Sequence, residues 1–162
     1  MSESVTEIIT PVGLEYTHTA GRAQRRFLGA LMEGRILGQR CPACTRVYVP
    51  ARNSCPTCAV ATEEEVEVAD EGTVTSFCIV NLPFYGQAVD IPYVCASVLL
   101  DGADIPFFFL LAETPVEEVH MGQRVKAVWA PVEERGYGYD NIRYFKPSGE
   151  PDAPFESYRD HL

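Results

Sequence analysis

The chain has 162 residues, of which 46% are hydrophobic and 22% charged, with six cysteines and a formal net charge of -10. That length supports one domain, or one domain with a small appendage, and the composition excludes wholesale disorder and collagen-like structure. Apolar runs such as Pro106–Ala112 are too short to span a bilayer, and Met1–Thr10 carries Glu3 and Glu7 where an export signal has a basic start and an apolar stretch, so a cytoplasmic protein is expected.

Charge is unevenly placed. Residues 1–60 hold seven Arg against four Glu, a balance of +3, whereas residues 61–162 hold six basic and 19 acidic residues, a balance of -13. The change of sign near residue 60 points to two structural units. Residues 1–19 show no sustained periodicity and read as an extended arm. From Ala20 to Glu33, Ala23, Phe27, Leu28, Ala30 and Leu31 fall on one helical face, and Arg22, Arg25 and Arg26 on the other. Thr19 is the expected N-cap and Gly34 the expected end.

Arg35–Arg40 reads as a short strand leading into Cys41, and Arg46–Pro50 as a second between two cysteine pairs. Thr62–Glu67 is either a linker or an exposed strand edge. Beyond Gly72, the segments Thr73–Leu82, Tyr93–Leu100, Ile105–Leu111, Arg124–Ala130 and Ile142–Phe145 are rich in β-branched and aromatic residues and separated by turn signals. Asp101-Gly102 favours a tight hairpin, and Thr114–His120 one or two helical turns. Five strands with a short helix between the third and fourth follow the order of an OB barrel, whereas an immunoglobulin-like sandwich asks for about seven strands. Gly136–Tyr139 reads as a flexible connection. The prolines of the tail keep it extended, with Phe155 and Tyr158 packing against something. The expected fold is therefore mainly β with an N-terminal helix: an arm over 1–19, helix plus zinc ribbon over 20–60, a five-stranded OB-fold barrel over 61–147 and an extended tail over 148–162.

The strongest chemical signal is Cys41-Pro-Ala-Cys44 followed by Cys55-Pro-Thr-Cys58. Two Cys-x-x-Cys knuckles on facing loops supply four thiolates to one closed tetrahedral site, the arrangement that structural zinc prefers; iron takes the same ligands. Redox dithiols of the thioredoxin kind come singly at a helix start, unlike these two pairs flanking a β-type segment. Cys78 and Cys95 stand inside apolar strand patterns and read as small buried core thiols. Arg22, Arg25 and Arg26 form a positive face open to three readings: a phosphate-bearing ligand, an acidic partner surface, or plain solvation. His18, His120 and His161 are isolated in sequence and read as surface histidines. Nucleophile-elbow, metalloprotease, Walker-type and dinucleotide motifs are missing, so a self-sufficient enzyme is not expected.

With these elements in view the chain resembles a family of small proteins that join a rubredoxin-like zinc ribbon to an acyl-CoA-associated OB fold, long catalogued as a domain of unknown function. The match is carried by Phe27–Gly34, Gly38-Gln-Arg-Cys41, Val47-Tyr-Val-Pro-Ala-Arg52, Cys55-Pro-Thr-Cys58, Gly72-Thr-Val-Thr75 and Gly122-Gln-Arg-Val125. It covers residues 20–147. Thr45 and Ala59 stand where such knuckles often place a positive-φ glycine, at a strain on the order of 1 kcal/mol each. The resemblance implies a non-catalytic accessory subunit of a thiolase-superfamily enzyme, either an acyl-CoA thiolase or an aldolase that shortens steroid side chains held as CoA thioesters. In such pairs the thiolase-like chain holds the chemistry, and the small subunit completes or stabilises the acyl-CoA site.

Two features bear on that expectation. In Ile105–Leu111, Phe107, Phe109 and Leu111 point one way and Phe108 and Leu110 the other, so a second apolar face awaits a cover, either a partner or another part of this chain. Arg22, Arg25 and Arg26, with Phe84 and Tyr85 after the first barrel strand and Phe108, are the candidate contacts to CoA or to a partner. A stand-alone CoA-binding protein is the alternative reading. Single-stranded nucleic-acid binding is the weaker rival, because a barrel balance of -13 repels phosphates.

Overall fold

The computed structural model describes residues 6–10 and 13–162, so residues 1–5 and 11–12 of the expected arm lie outside it. The first element is an α-helix, α1, at Arg22–Met32, and its buried residues are Ala23, Phe27, Leu28, Ala30 and Leu31, the face that periodicity selects. Its N-terminus differs from expectation: the capping position is Gly21, extended and without a side-chain hydrogen bond, so Thr19 lies outside the helix. Gly34 ends it at φ 80°, a left-handed turn that glycine adopts without strain.

Three strands follow, β1 at Ile36–Arg40, β2 at Val47–Tyr48 and β3 at Glu64–Val68, paired antiparallel in the order β2-β1-β3. The acidic stretch after the second cysteine pair is thus a strand and not a linker. Its carboxylates meet the basic half of the chain: Glu64 pairs with Arg40 at 3.2 Å, Glu65 with Arg26 at 3.0 Å and Glu67 with Arg35 at 3.2 Å, while Val68 turns into the core. The charge change near residue 60 is the seam of this ion-paired sheet. Exposed pairs of this kind contribute little stability but favour this register over a slipped one.

The remaining strands are β4 (Glu71–Val80), β5 (Tyr93–Leu100), β6 (Phe107–Leu111), β7 (Arg124–Trp129) and β8 (Ile142–Pro147). They close into a barrel ordered β4-β5-β6-β8-β7, in which β6 and β8 run parallel at Leu111↔Phe145 and the other neighbours antiparallel. A single 3-10 turn, Val116–Glu118, lies between β6 and β7. The order is that of an OB fold. Gly72 is required where the start of β4 pairs closely with the end of β5, since a Cβ there would sit 2.3 Å from the Leu99 carbonyl oxygen.

One hydrophobic cluster runs through both parts, from Phe27, Leu31 and Ile36 to Val74, Val98 and Phe145. Phe27 meets the edge of Phe107 with ring centroids 6.2 Å apart. Asp101-Gly102 forms the expected tight turn, the Ala103 N–H donating to the Leu100 carbonyl at 2.9 Å, but the β5–β6 ladder starts only at Val98↔Phe107, and Asp104 beyond the turn is clamped to the ribbon: its Oδ2 accepts from the Val47 N–H at 2.8 Å and its own N–H donates to the Val47 carbonyl at 3.0 Å. Gly136–Tyr139 is likewise a fastened turn instead of a flexible connection. Buried Asn141 donates to the carbonyls of Gly136 and Gly138 at 2.6 and 2.8 Å and accepts from the Gly136 N–H at 2.9 Å. The tail carries two 3-10 turns, Phe155–Ser157 and Arg159–His161, and buries Tyr158 against Gly122. Phe155 remains about half exposed. No helix among the described residues is long and apolar enough to cross a membrane.

Candidate metal centre and surface sites

The loop after β1 and the loop after β2 have the same backbone construction. Cys41 and Cys55 each accept, through their carbonyls, from the N–H four residues on, Thr45 and Ala59, both at 2.9 Å. Each also donates its own N–H to the carbonyl five residues on, Arg46 and Val60, again at 2.9 Å. Closing that turn forces Thr45 to φ 63° and Ala59 to φ 54°, the left-handed positions expected of the knuckle pattern. The turned backbone aims N–H groups at sulfur: Ala43 and Cys44 donate to Cys41 Sγ at 3.4 Å, and Cys58 donates to Cys55 Sγ at 3.3 Å.

These knuckles bring the Sγ atoms of Cys41, Cys44, Cys55 and Cys58 within 4.8 Å of one another. Cys44 Sγ and Cys55 Sγ are 3.7 Å apart, matching the ~3.8 Å edge of a tetrahedron built on ~2.3 Å zinc–sulfur bonds. The donor set and its spacing fit structural zinc. Two of these thiols, Cys55 and Cys58, are driven in opposite directions when no cation is bound. Tyr48, whose hydroxyl lies 3.1 Å from Cys55 Sγ, holds that thiol down at about 6, helped by the Cys58 N–H against the opposing effect of burial. Cys58, hydrogen-bonded to Cys44 and partly desolvated, is pushed up to about 12. A bound dication removes the conflict, because it deprotonates all four ligands. Residue type and spacing do not select Tyr48 as a supporting residue; its place in Val47-Tyr-Val-Pro-Ala-Arg52, between the knuckles, is the available signal.

Cys78 and Cys95 are not core thiols. Cys78 is exposed, on the half of β4 that has no buried residues, and Cys95 is half-buried, alternating with the core residues Val94 and Ala96 of β5. The buried half of β4 stops at Thr75, and Ser76–Ile79 are exposed on both sides of the strand.

Arg22, Arg25 and Arg26 line a surface cavity of about 570 Å³ together with Ala20, Leu28 and Tyr137. Arg22 and Arg26 also pair with Glu63 and Glu65 at 3.3 and 3.0 Å. Phe84, Tyr85 and Phe108 are not among the residues of that cavity. The aromatic beside the arginines is Tyr137, which the Gly136-Tyr-Gly138 spacing marks only as part of a turn.

Phe84 and Tyr85 lie in the connection between β4 and β5, and Phe108 in β6. Phe108 is 63% exposed, Phe84 56% and Tyr85 fully exposed, and none of the described residues covers Phe108. The register places Phe108 and Leu110 of β6 beside Ser97 and Cys95 of β5, and these beside Ser76 and Cys78 of β4. Residues 72–100 contain a single charged side chain, Asp90, and residues 105–112 contain none. The uncharged face continues into the β4–β5 connection, where Leu82 is also exposed.

Comparison with known proteins follows the same division. Residues 28–64 match the family description "ChsH2, rubredoxin-like zinc ribbon domain" and residues 65–130 match "ChsH2, C-terminal OB-fold domain". A protein of Methanocaldococcus jannaschii described as a DUF35 domain-containing scaffold protein is 33% identical over 120 residues, covering 69% of this chain and 81% of that protein. Among solved structures, one described as "Ltp2-ChsH2(DUF35) aldolase" has a TM-score of 0.62 at 24% identity, over 82% of this chain and 99% of the other. A DUF35-family protein of unknown function from Sulfolobus solfataricus has a TM-score of 0.60 at 24% identity, over 79% of this chain and 87% of that one. With both its zinc ribbon and its OB barrel matched, the chain belongs to the DUF35 family of ChsH2-type proteins.

Proposed function

We propose that this chain is a non-catalytic, zinc-stapled accessory subunit that docks on a thiolase-superfamily enzyme, an acyl-CoA thiolase or a steroid or lipid side-chain aldolase, and helps form or stabilise its acyl-CoA site. The observation that carries this reading is the uncharged face of β4, β5 and β6, on which Phe108 of β6 is 63% exposed, in a chain whose formal net charge is -10. Exposed apolar faces of that kind mark interaction sites. A four-thiolate metal site leaves no position for substrate, which assigns zinc to shape and not to chemistry. The relatives point the same way: one is described as a scaffold protein, and another as an aldolase named for Ltp2 and ChsH2(DUF35) together.

The arginine cavity supports a second reading, a stand-alone protein for CoA or acyl-CoA, since Arg22, Arg25, Arg26 and Tyr137 offer phosphate and ring contacts within one chain. Two measurements separate the readings. Tagged chain purified from its native host is expected to carry a thiolase-superfamily enzyme in stoichiometric amount, and Phe108→Glu is expected to lose it. Calorimetry with CoA thioesters is expected to show tight binding only when that enzyme is present. Tight binding by the isolated chain, or recovery of the chain without such an enzyme, overturns the subunit reading. The purified chain is expected to turn over no acyl-CoA unaided.

A further inference from the structure

Two cysteines lie outside the metal site, and the barrel sets them face to face. In the β4–β5 ladder Cys78 is directly opposite Cys95, flanked by the pairs Phe77↔Ala96 and Ile79↔Val94. Directly opposed residues of an antiparallel pair have Cα atoms about 4.5 or 5.5 Å apart, and their side chains leave the same face of the sheet. A disulfide spans Cα separations of about 4.4–6.8 Å, so either spacing accepts one without moving the backbone. Access is also in place, because Cys78 is exposed and Cys95 half-buried.

We propose that Cys78 and Cys95 are a redox-sensitive dithiol, which a hydroperoxide converts into a disulfide across β4 and β5. The more exposed Cys78 reacts first: its thiolate sulfur attacks hydrogen peroxide, the O–O bond breaks, an S–O bond forms, and the departing hydroxide takes up the proton that Cys78 released, leaving as water. The Cys95 sulfur then attacks the Cys78 sulfur. The S–O bond breaks, hydroxide leaves and takes up the Cys95 proton as water, and the S–S bond forms. The two thiols together lose two electrons and two protons, and peroxide is reduced to two waters. Burial and the neighbouring Cys78 raise the Cys95 thiol, which keeps it protonated and in reserve as the resolving group. The bond closes the mouth of the connection at 81–92, two residues from the last ladder pair Val80↔Tyr93. On the reading that the uncharged face docks a partner, this places a covalent switch within the interface; the disulfide itself does not depend on that reading.

The test uses the zinc-loaded full chain, treated with hydrogen peroxide, digested without reductant and mapped by mass spectrometry. The expected product is a cross-linked peptide pair containing Cys78 and Cys95, lighter by two hydrogens, reversed by dithiothreitol, with zinc still bound. In Cys95→Ser, Cys78 is expected to proceed to the sulfinic acid instead, and Cys95→Ala serves if the serine variant folds poorly. Recovery of Cys78 from the wild type as free thiol or sulfinic acid, or cross-linked to a metal-site cysteine, overturns the proposal. That result would leave the accessory-subunit reading intact, just as failure to find a partner would leave the disulfide intact.

Discussion

Tyr48→Phe removes one oxygen atom from a side chain that is almost completely buried beside Cys41 and Cys55, and it leaves the ring packing in place. Because zinc-bound Cys55 has no proton to give, the Tyr48 hydroxyl is the donor of the 3.1 Å contact to its Sγ. A hydrogen bond to a charged acceptor contributes about 1.5–3 kcal/mol. The Cys55 sulfur keeps its bond from the Cys58 N–H, so the lower part of that range applies. A loss of about 2 kcal/mol from the metal-bound state lowers zinc affinity about 30-fold, inside the ~10–100-fold range found when groups supporting a metal ligand are removed. The assay is competition for zinc against a chromophoric chelator at neutral pH, with thermal melting of the zinc-loaded form alongside. Affinity within about twofold of wild type would show that the hydroxyl does not support the thiolate, and would refute this account of the low Cys55 pKa.

Gly72→Ala places a methyl group against Leu99 and Leu100 backbone atoms at 2.3–2.9 Å and is expected to leave the chain insoluble or to lower its melting temperature by more than any other single glycine-to-alanine change tested; near-wild-type melting would refute this close approach of the two strands. Ala59→Gly relieves a left-handed alanine at φ 54° and is expected to stabilise the zinc-loaded protein by up to about 1 kcal/mol in urea melts. For His120, the Glu118 carbonyl, with Asp152 second, raises the pKa above its ordinary value. The stability this group contributes is therefore fully present below the unfolded pKa of about 6.5 and lost as pH rises through the raised folded value. The melting difference between wild type and His120→Gln is expected to be largest below the unfolded pKa of about 6.5 and to shrink as pH rises through the raised folded value; a difference that grows with pH would contradict the sign.

The sequence is most legible where chemistry and backbone geometry act over a few residues. Two Cys-x-x-Cys knuckles specify their own hydrogen bonds, and a helical face of Ala23, Phe27, Leu28, Ala30 and Leu31 needs no tertiary information to be seen. It is less legible where distant groups decide. Asp104 is clamped to the ribbon through a bond to Val47, and Asn141 fastens the Gly136–Tyr139 turn through three bonds that pattern alone does not reveal. Thr62–Glu67 stays ambiguous because a run of glutamates reads as solvated until Arg26, Arg35 and Arg40 are known to lie across from it.

The placement of Cys78 shows how far alternation can be read. Strand periodicity reports which side chains share a face, but the depth of the barrel decides how much of a strand has an interior to face. β4 runs for ten residues, and only its first half is lined by barrel core; from Ser76 onward the apolar pattern continues while the core does not. A strand that remains apolar on both faces beyond its own barrel leaves Phe77 and Ile79 partly exposed on one side, and Cys78 on the other. Surface of that kind in a monomer favours aggregation unless something covers it. The ion pairs Lys126–Glu71, Arg143–Glu134 and Lys146–Glu113 take no residue from 72–100 or 105–112, the segments that form this face. The overhang is therefore where a partner's apolar surface would gain most from contact and where charge would oppose it least, which makes a single carboxylate at Phe108 the sharpest probe of whether a partner belongs there.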